Sequence, residues 1–225
     1  EPGLDEDDIG RKIMKINVSP MLKSKTYVGS GPNVDIDTSV IPKVLDSNQF
    51  VGKPDRERIL TVNEQEDFRY GVDPADPSHS IYNQILINNV PFGYDPPHQP
   101  NPHHVIKLGS TEMWTYINLT PDTHPMHIHL VKFKVISRQP FDHEAYEKDW
   151  GKGPPLPGTD LSKYYTGPVI PPYPNELGYK DTVRINPGEI TRIVAVFDLE
   201  GTYVHHCHIL EHEENDLMEF FQVKR

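Results

Sequence analysis

Cysteine is nearly absent: Cys207 is the only one in 225 residues. A single thiol excludes internal disulfides and any zinc finger built from several cysteines. Long apolar runs are missing as well. No stretch approaches the ~18 residues that a bilayer-spanning helix needs, so no membrane partner is expected. Basic residues are in deficit, with 22 Lys and Arg against 33 Asp and Glu and a net charge of −11. That balance argues against nucleic-acid and anionic-membrane partners, which reward clustered positive charge. No signal-peptide pattern follows Glu1, and the chain is expected to begin at a processing or cropping point.

What the chain has instead is 12 histidines and 23 prolines. The segment "EPGLDEDDIG" is acidic and turn-rich, and "KIMKINV" (Lys12 to Val18) alternates like one strand. A lone strand is not stable by itself, so residues 1–18 are expected to trail from a preceding domain. Residues 19–56, rich in Pro, Ser and Gly, read as a linker. From residue 57 to 225 the texture is that of short β-branched and aromatic strands. "RILTVNEQ", "QILINNV", "HVIKLGS", "EMWTYINLT", "KFKVISR", "DTVRINP", "ITRIVAVFD" and "GTYVHHC" are bounded by Gly, Pro, Asn or Asp. An all-β sandwich or barrel follows. It is interrupted between Asp142 and Lys180 by a short helix, "DHEAYEKDW", and a long Pro-rich loop insertion. The part from Trp150 to Gly178 is a candidate wall of a substrate pocket, because loops of this length commonly carry function.

Seven of the histidines and the cysteine fall in two clusters, "THPMHIHL" and "YVHHCHILEH". If both are strand-borne, residues two apart share a face and adjacent residues oppose. His127 and His129 then point one way together, as do His206 and His208, while Cys207 points the other way. Two chemically different sites are expected on opposite sides of one strand. On the Cys207 side, a helical turn through "ILEH" could return His212, and His124 stands at the start of the other cluster. One thiolate and two imidazoles is the trigonal set of a blue-copper centre. Zinc prefers four strong ligands and usually several thiolates. On the far side, four imidazoles converging without a metal would leave much nitrogen unsatisfied. Cys207 is therefore expected to ligate one copper and its neighbours His206 and His208 to ligate others.

At these residues the chain resembles the C-terminal domain of the three-domain multicopper oxidases. The H-P-x-H-x-H pattern spans His124 to His129, and H-C-H-x-x-x-H spans His206 to His212. "GSTEMWTYIN", "HPMHIHLVKFKVI", "PFD", "YTGP", "GYKDT" and "HCHILEHE" resemble in particular the spore-coat laccases of the CotA type and bilirubin oxidase. The resemblance implies a Greek-key, cupredoxin-like fold. It implies that His124, Cys207 and His212 hold a type 1 copper, that His127 serves a type 2 copper, and that His129, His206 and His208 serve a type 3 pair. It also implies that Glu213 helps protons reach dioxygen. His205 falls where the family usually has an aromatic residue, and His98, His103 and His104 lie in a Pro-rich loop without ligand spacing.

Two departures stand out. The family's trinuclear cluster takes four further histidines from the first domain, and this chain has no second pair of H-x-H motifs. Those ligands are expected from the N-terminal part of the same enzyme or from a second chain. The residue ten after Cys207 is Leu217, where the resembled group usually has an axial Met; Met218 follows it. The activity implied is a laccase-like oxidase that takes single electrons from a phenol or related small aromatic. It passes four of them to dioxygen, with four coppers per complete enzyme. A non-catalytic blue-copper carrier would leave four histidines unexplained. A copper nitrite reductase is disfavoured because histidine flanks Cys207 on both sides. Five scattered methionines form no cuprous-oxidase patch, while manganese or iron oxidation stays open. "NVS" at Asn17 and "NLT" at Asn118 match the glycosylation pattern, which arises often by chance.

Overall fold

Alternation of inward apolar and outward polar positions organises the chain from Arg56 onward. The computed structural model describes residues 52–81, 83–93 and 105–225, together with strands β1 (Tyr27–Val28) and β2 (Asp35–Ile36). The chain divides into two units, Glu1–Lys43 and Val44–Arg225. In the first, β1 and β2 pair antiparallel, Tyr27 opposite Ile36. The strand expected at Lys12 to Val18 and most of the expected linker lie outside the described residues.

Among the described residues of the second unit ten strands form two sheets. They are β3 (Arg56–Glu66), β4 (Asn83–Ile87), β5 (Val105–Lys107), β6 (Thr111–Asn118), β7 (His124–Ile128), β8 (Phe133–Pro140), β9 (Thr182–Ile185), β10 (Glu189–Val196), β11 (Gly201–Cys207) and β12 (Met218–Lys224). One sheet has the order β4-β3-β6-β10-β8 and the other β5-β12-β11-β7-β9. From β6 to β11 successive strands alternate between sheets, so every connection crosses the sandwich. One of these crossings is "INPG", where Gly188 takes φ 68, a left-handed conformation that glycine adopts without strain. This is the all-β sandwich expected from the strand pattern, of the cupredoxin-like kind that the resemblance implies.

The two inner faces meet in one core. Leu60, Val62, Ile85, Ile87, Trp114, Tyr116 and Ile193 come from the first sheet, and Met126, Ile128, Val183, Ile185, Phe221 and Val223 from the second. Each such side chain contributes about 1.5–3 kcal/mol by leaving water. β12 supplies two of these residues and was not among the strands anticipated from the sequence. Its "MEFFQV" alternates less cleanly because Phe220 faces outward.

The expected helix spans His143–Trp150, and its N-cap Asp142 accepts from the Ala145 N–H. With the loop after it, it builds a second core of Ile117, Phe141, Tyr146, Leu161, Tyr164 and Ile190. Ile117 and Ile190 belong to β6 and β10 and face away from the main core, so this insertion covers the outer face of the first sheet. Farther along, Glu176 makes a two-bond pair with the buried Arg138 at 2.6 and 2.6 Å. The segment Trp150 to Gly178 was a candidate wall of a substrate pocket. Its Leu161 and Tyr164 pack on the outer face of the first sheet, while Leu156 and Val169 stay exposed. Among the described residues no helix is long and apolar enough to cross a membrane.

Candidate metal centre

β7 and β11 lie side by side, antiparallel, with His206 opposite His127, Cys207 opposite Met126 and His205 opposite Ile128. Cross-strand partners share a face. The pleat therefore sends His124, Met126, Ile128, His205 and Cys207 into the sandwich and His127 and His206 out of it. Two bonds carry the pairing past the strand ends, from the His129 N–H to the Val204 carbonyl at 3.1 Å and from the His208 N–H to the Pro125 carbonyl at 2.7 Å.

The inward set closes on itself. His124 Nδ1 and His212 Nδ1 are 3.1 Å apart, and each is 3.8 Å from Cys207 Sγ. His212 reaches this point because the chain turns after Cys207 into a short helix, Leu210–Glu214, whose first turn bonds the His212 N–H to the Ile209 carbonyl at 3.0 Å. The Ile209 N–H points at Cys207 Sγ from 3.4 Å. A point equidistant from the three donors lies about 2 Å from each, the span of metal–imidazole and metal–thiolate bonds. The group contains no carboxylate. Two imidazoles and one thiol at that spacing fit a trigonal copper better than tetrahedral structural zinc.

Burial sets the protonation of this group. It pushes the His124 imidazole down to about 4, helped by the neighbouring His212 and opposed by Asp122. His124 is thus neutral, with a lone pair to offer, at any ordinary pH. Burial also pushes the Cys207 thiol up to about 11, against the Ile209 N–H that favours the thiolate and with Glu213 adding to the rise. A metal entering here must displace that proton.

The outward set is more open. The donor atoms of His127, His129 and His206 lie within 4.8 Å of one another, with His129 Nε2 and His206 Nε2 at 3.1 Å. The His208 ring centroid is 5.2 Å from that of His127 and 5.4 Å from that of His206. Two of the rings are held by their other nitrogen. His127 Nδ1 meets the Asp181 carbonyl at 2.9 Å and Thr182 Oγ1 at 3.2 Å. His206 Nδ1 meets its neighbour's carbonyl, that of Cys207, at 3.0 Å and Glu213 Oε2 at 3.3 Å. Such anchoring leaves Nε2 to face a metal. Burial lowers the His127 and His129 pKa values. His206 is buried and His127 half-buried, while His129 and His208 are exposed. A cleft of about 600 Å³ opens beside them, lined in part by Lys132, Lys134, Tyr179 and Asp181.

Other anticipated residues separate clearly. Leu217 is fully buried and joins the core that holds Cys207, and its carbonyl accepts from the Cys207 N–H at 3.1 Å. Met218 pairs with His206 and so lies on the opposite face. His205 is buried away from both donor sets, with Trp114 5.1 Å from it ring to ring and Glu219 at 3.6 Å. His98, His103 and His104 lie outside the described residues. Asn118 is 1% exposed and hydrogen-bonded on both sides of its amide, which rules against a glycan there. Asp181 and Thr182 as anchors of His127, and Thr120 against His124, were not anticipated. Their only signal is position, Thr120 in the turn before β7 and Asp181 and Thr182 at the start of β9, which pairs with β7.

The model of the multicopper oxidase family matches residues 60–225. The chain belongs to the multicopper oxidase family. Copper is the metal of this family, and the donor sets above suit it. A laccase of Bacillus subtilis (strain 168) is 49% identical over 113 residues, half of this chain and 20% of that protein. A laccase of Bacillus stratosphericus is 40% identical over 167 residues, 74% of this chain and 27% of that protein. The chain thus spans about a quarter of the length of the laccases it matches. A multicopper oxidase from Campylobacter jejuni, described as a metallo-oxidase, has the same fold. It aligns with TM-score 0.53 at 23% identity over 79% of this chain and 31% of that one.

Proposed function

We propose that this chain is the electron-entry and half-cluster portion of a laccase-like oxidase. The enzyme takes single electrons from phenolic or related aromatic substrates and reduces dioxygen to two waters with four of them. The observation that carries the reading is the pleat of β11. It turns Cys207 inward to His124 and His212 while His206 and His208, its neighbours in the chain, turn outward to His127 and His129. When bound, copper supplies one-electron chemistry at the inward set and dioxygen reduction at the outward one.

The residues divide the work accordingly. His124, Cys207 and His212 hold the electron-accepting metal in a dry pocket under Leu217. The backbone from Cys207 to His206 and His208 is the shortest covalent route between the sets. Glu213, 3.3 Å from His206 Nδ1, holds that ring and stands ready to pass protons toward the oxygen side. His127, His129, His206 and His208 are one half of an eight-imidazole site. The exposure of His129 and His208 supports completion by four further histidines from another part of the same enzyme or a second chain.

The test is a copper count with a dioxygen balance on the intact enzyme. Four coppers per catalytic unit and one dioxygen consumed per four phenol oxidations, without accumulated peroxide, are expected. One copper per molecule and no dioxygen uptake would identify an electron carrier instead. Rapid turnover of ferrous or manganous ion with none of phenols would move the substrate to metal ions.

A further inference from the structure

His124 is the inward ligand candidate whose far nitrogen is also buried, and what holds that nitrogen is specific. Thr120 Oγ1 lies 2.6 Å from His124 Nε2. The same hydroxyl oxygen accepts the Asp122 N–H at 3.2 Å and stands 2.9 Å from Asn118 Oδ1. The orientation of Asn118 is not free. Its Nδ2 group faces two carbonyls, Asp122 at 2.7 Å and Ile185 at 3.2 Å, and its Oδ1 accepts the Thr120 N–H at 3.0 Å. A flipped amide would set oxygen against two carbonyls and NH₂ against an N–H. All three side chains are buried, at 1% exposure for Asn118, 5% for Thr120 and 0% for His124.

With Asn118 Oδ1 fixed as acceptor, the Thr120 hydroxyl has an oxygen waiting for its hydrogen. Its lone pairs are then free for N–H donors. One is the Asp122 amide and the other is His124 Nε2–H. We propose that Asn118 and Thr120 are positioning residues that fix His124 in its Nε2–H tautomer, so that the Nδ1 lone pair faces Cys207 and His212 before any metal arrives. The opposite tautomer would place a hydrogen on Nδ1, between His212 Nδ1 at 3.1 Å and Cys207 Sγ at 3.8 Å, where a ligand needs its lone pair. The inference rests on the reading of His124 as a copper ligand and adds what prepares it. Partners that orient ligating histidines typically affect metal affinity 10–100-fold. The motif "NLT", which matches a glycosylation signal, is on this account the relay's donor and acceptor pair.

The experiment has two arms on the full chain. In copper-free protein labelled with ring-¹⁵N histidine, long-range ¹H–¹⁵N spectra should show His124, assigned by its loss in His124→Gln, as the Nε2–H tautomer. Thr120→Val, close in shape and lacking the hydroxyl, should populate both tautomers and weaken cupric binding at the thiolate-coloured site by about 10–100-fold. Thr120→Ser should restore both properties. An Nδ1–H tautomer in the unsubstituted protein, or undiminished copper affinity in a folded Thr120→Val, overturns the proposal. The spectrum of the unsubstituted protein decides whether or not Thr120→Val folds. If Cys207→Ser binds copper with the same colour and affinity as the parent, the ligand reading itself fails, and the tautomer result then stands on its own.

Discussion

The two faces of β11 carry the same kind of side chain and are built in opposite ways. Inward, three donors meet at 3.1–3.8 Å at the edge of the apolar core that holds Cys207, and every one of them comes from this chain. Outward, four imidazoles gather at the surface, two of them exposed, beside an open cleft. A site that accepts and passes one electron gains from dryness and rigidity, because little has to rearrange when its charge changes. A site that must admit dioxygen and protons needs access and more metal. On the proposed function one strand would supply both by the alternation of its side chains, and that alternation lets each face be perturbed separately.

The largest separation should come from Cys207→Ser. Loss of the only soft ligand should abolish the intense thiolate-to-copper absorption and bring substrate oxidation to background. Copper held by His127, His129, His206 and His208 should largely remain, as read by total copper analysis and paramagnetic resonance. Retention of the blue band in this variant would dissolve the comparison.

Protonation offers a second break, in metal-free protein. Below the ordinary value of 6.5 the unfolded chain binds a proton at His124 that the folded state refuses until about 4. Stability from this group is therefore intact above pH ~6.5 and is lost between about 6.5 and 4, by a few kcal/mol at most. Cys207 acts at the other end. Its raised folded value means stability is intact below pH ~9 and falls as pH climbs toward about 11. Denaturant midpoints across pH should show both slopes. His124→Gln should flatten the acid one and Cys207→Ser the alkaline one.

Glu213 bridges the comparison, since it touches His206 on the outward face from the helix that carries His212. Glu213→Gln should slow reoxidation of the reduced enzyme about tenfold, with absorption and reduction of the inward site unchanged. Stopped-flow reoxidation that keeps the parent rate across pH would reduce this carboxylate to a solvated member of its acidic run.

The smallest effect concerns the cover of the inward site. Leucine cannot donate to copper and it excludes water, and both properties favour the less charged cuprous state. Leu217→Met should lower the reduction potential by on the order of 60 mV, about tenfold in the electron-transfer equilibrium. Met218→Leu, on the opposite face, should leave it unchanged. A redox titration giving the reverse pattern would mean that the strand slips by one residue on binding metal.

Much of this molecule was legible as one-dimensional pattern. Strand character needs only β-branched and aromatic residues between turn formers. The two-sidedness of "HHCH" needs only the two-residue period of a strand, so the split between Cys207 and its neighbours could be read before any contact was known. The single helical turn returning His212 was legible for the same local reason. Determinants that act between segments left no local mark. β12 went unrecognised because its outward Phe220 blurs the alternation, and only its pairing with β11 and β5 makes it a strand. Trp150 to Gly178 reads as a binding loop from its length and prolines, and nothing local marks that its Leu161 and Tyr164 would pack with Ile117 and Ile190 of distant strands.

The sequence by itself determined which side chains could bind metal and on which side of their strand each would stand, because the pleat is a property of neighbouring residues. Only the tertiary structure decided how close the donors come and which nitrogen of each ring is free. The three inward donors are 5, 83 and 88 residues apart along the chain, Cys207 from His212, Cys207 from His124 and His124 from His212. That Leu217 enters the core with Cys207 while Met218 shares the face of His206 was also tertiary. It follows from the register of β12 on β11, which hydrogen bonds between strands set and which no count along the chain contains.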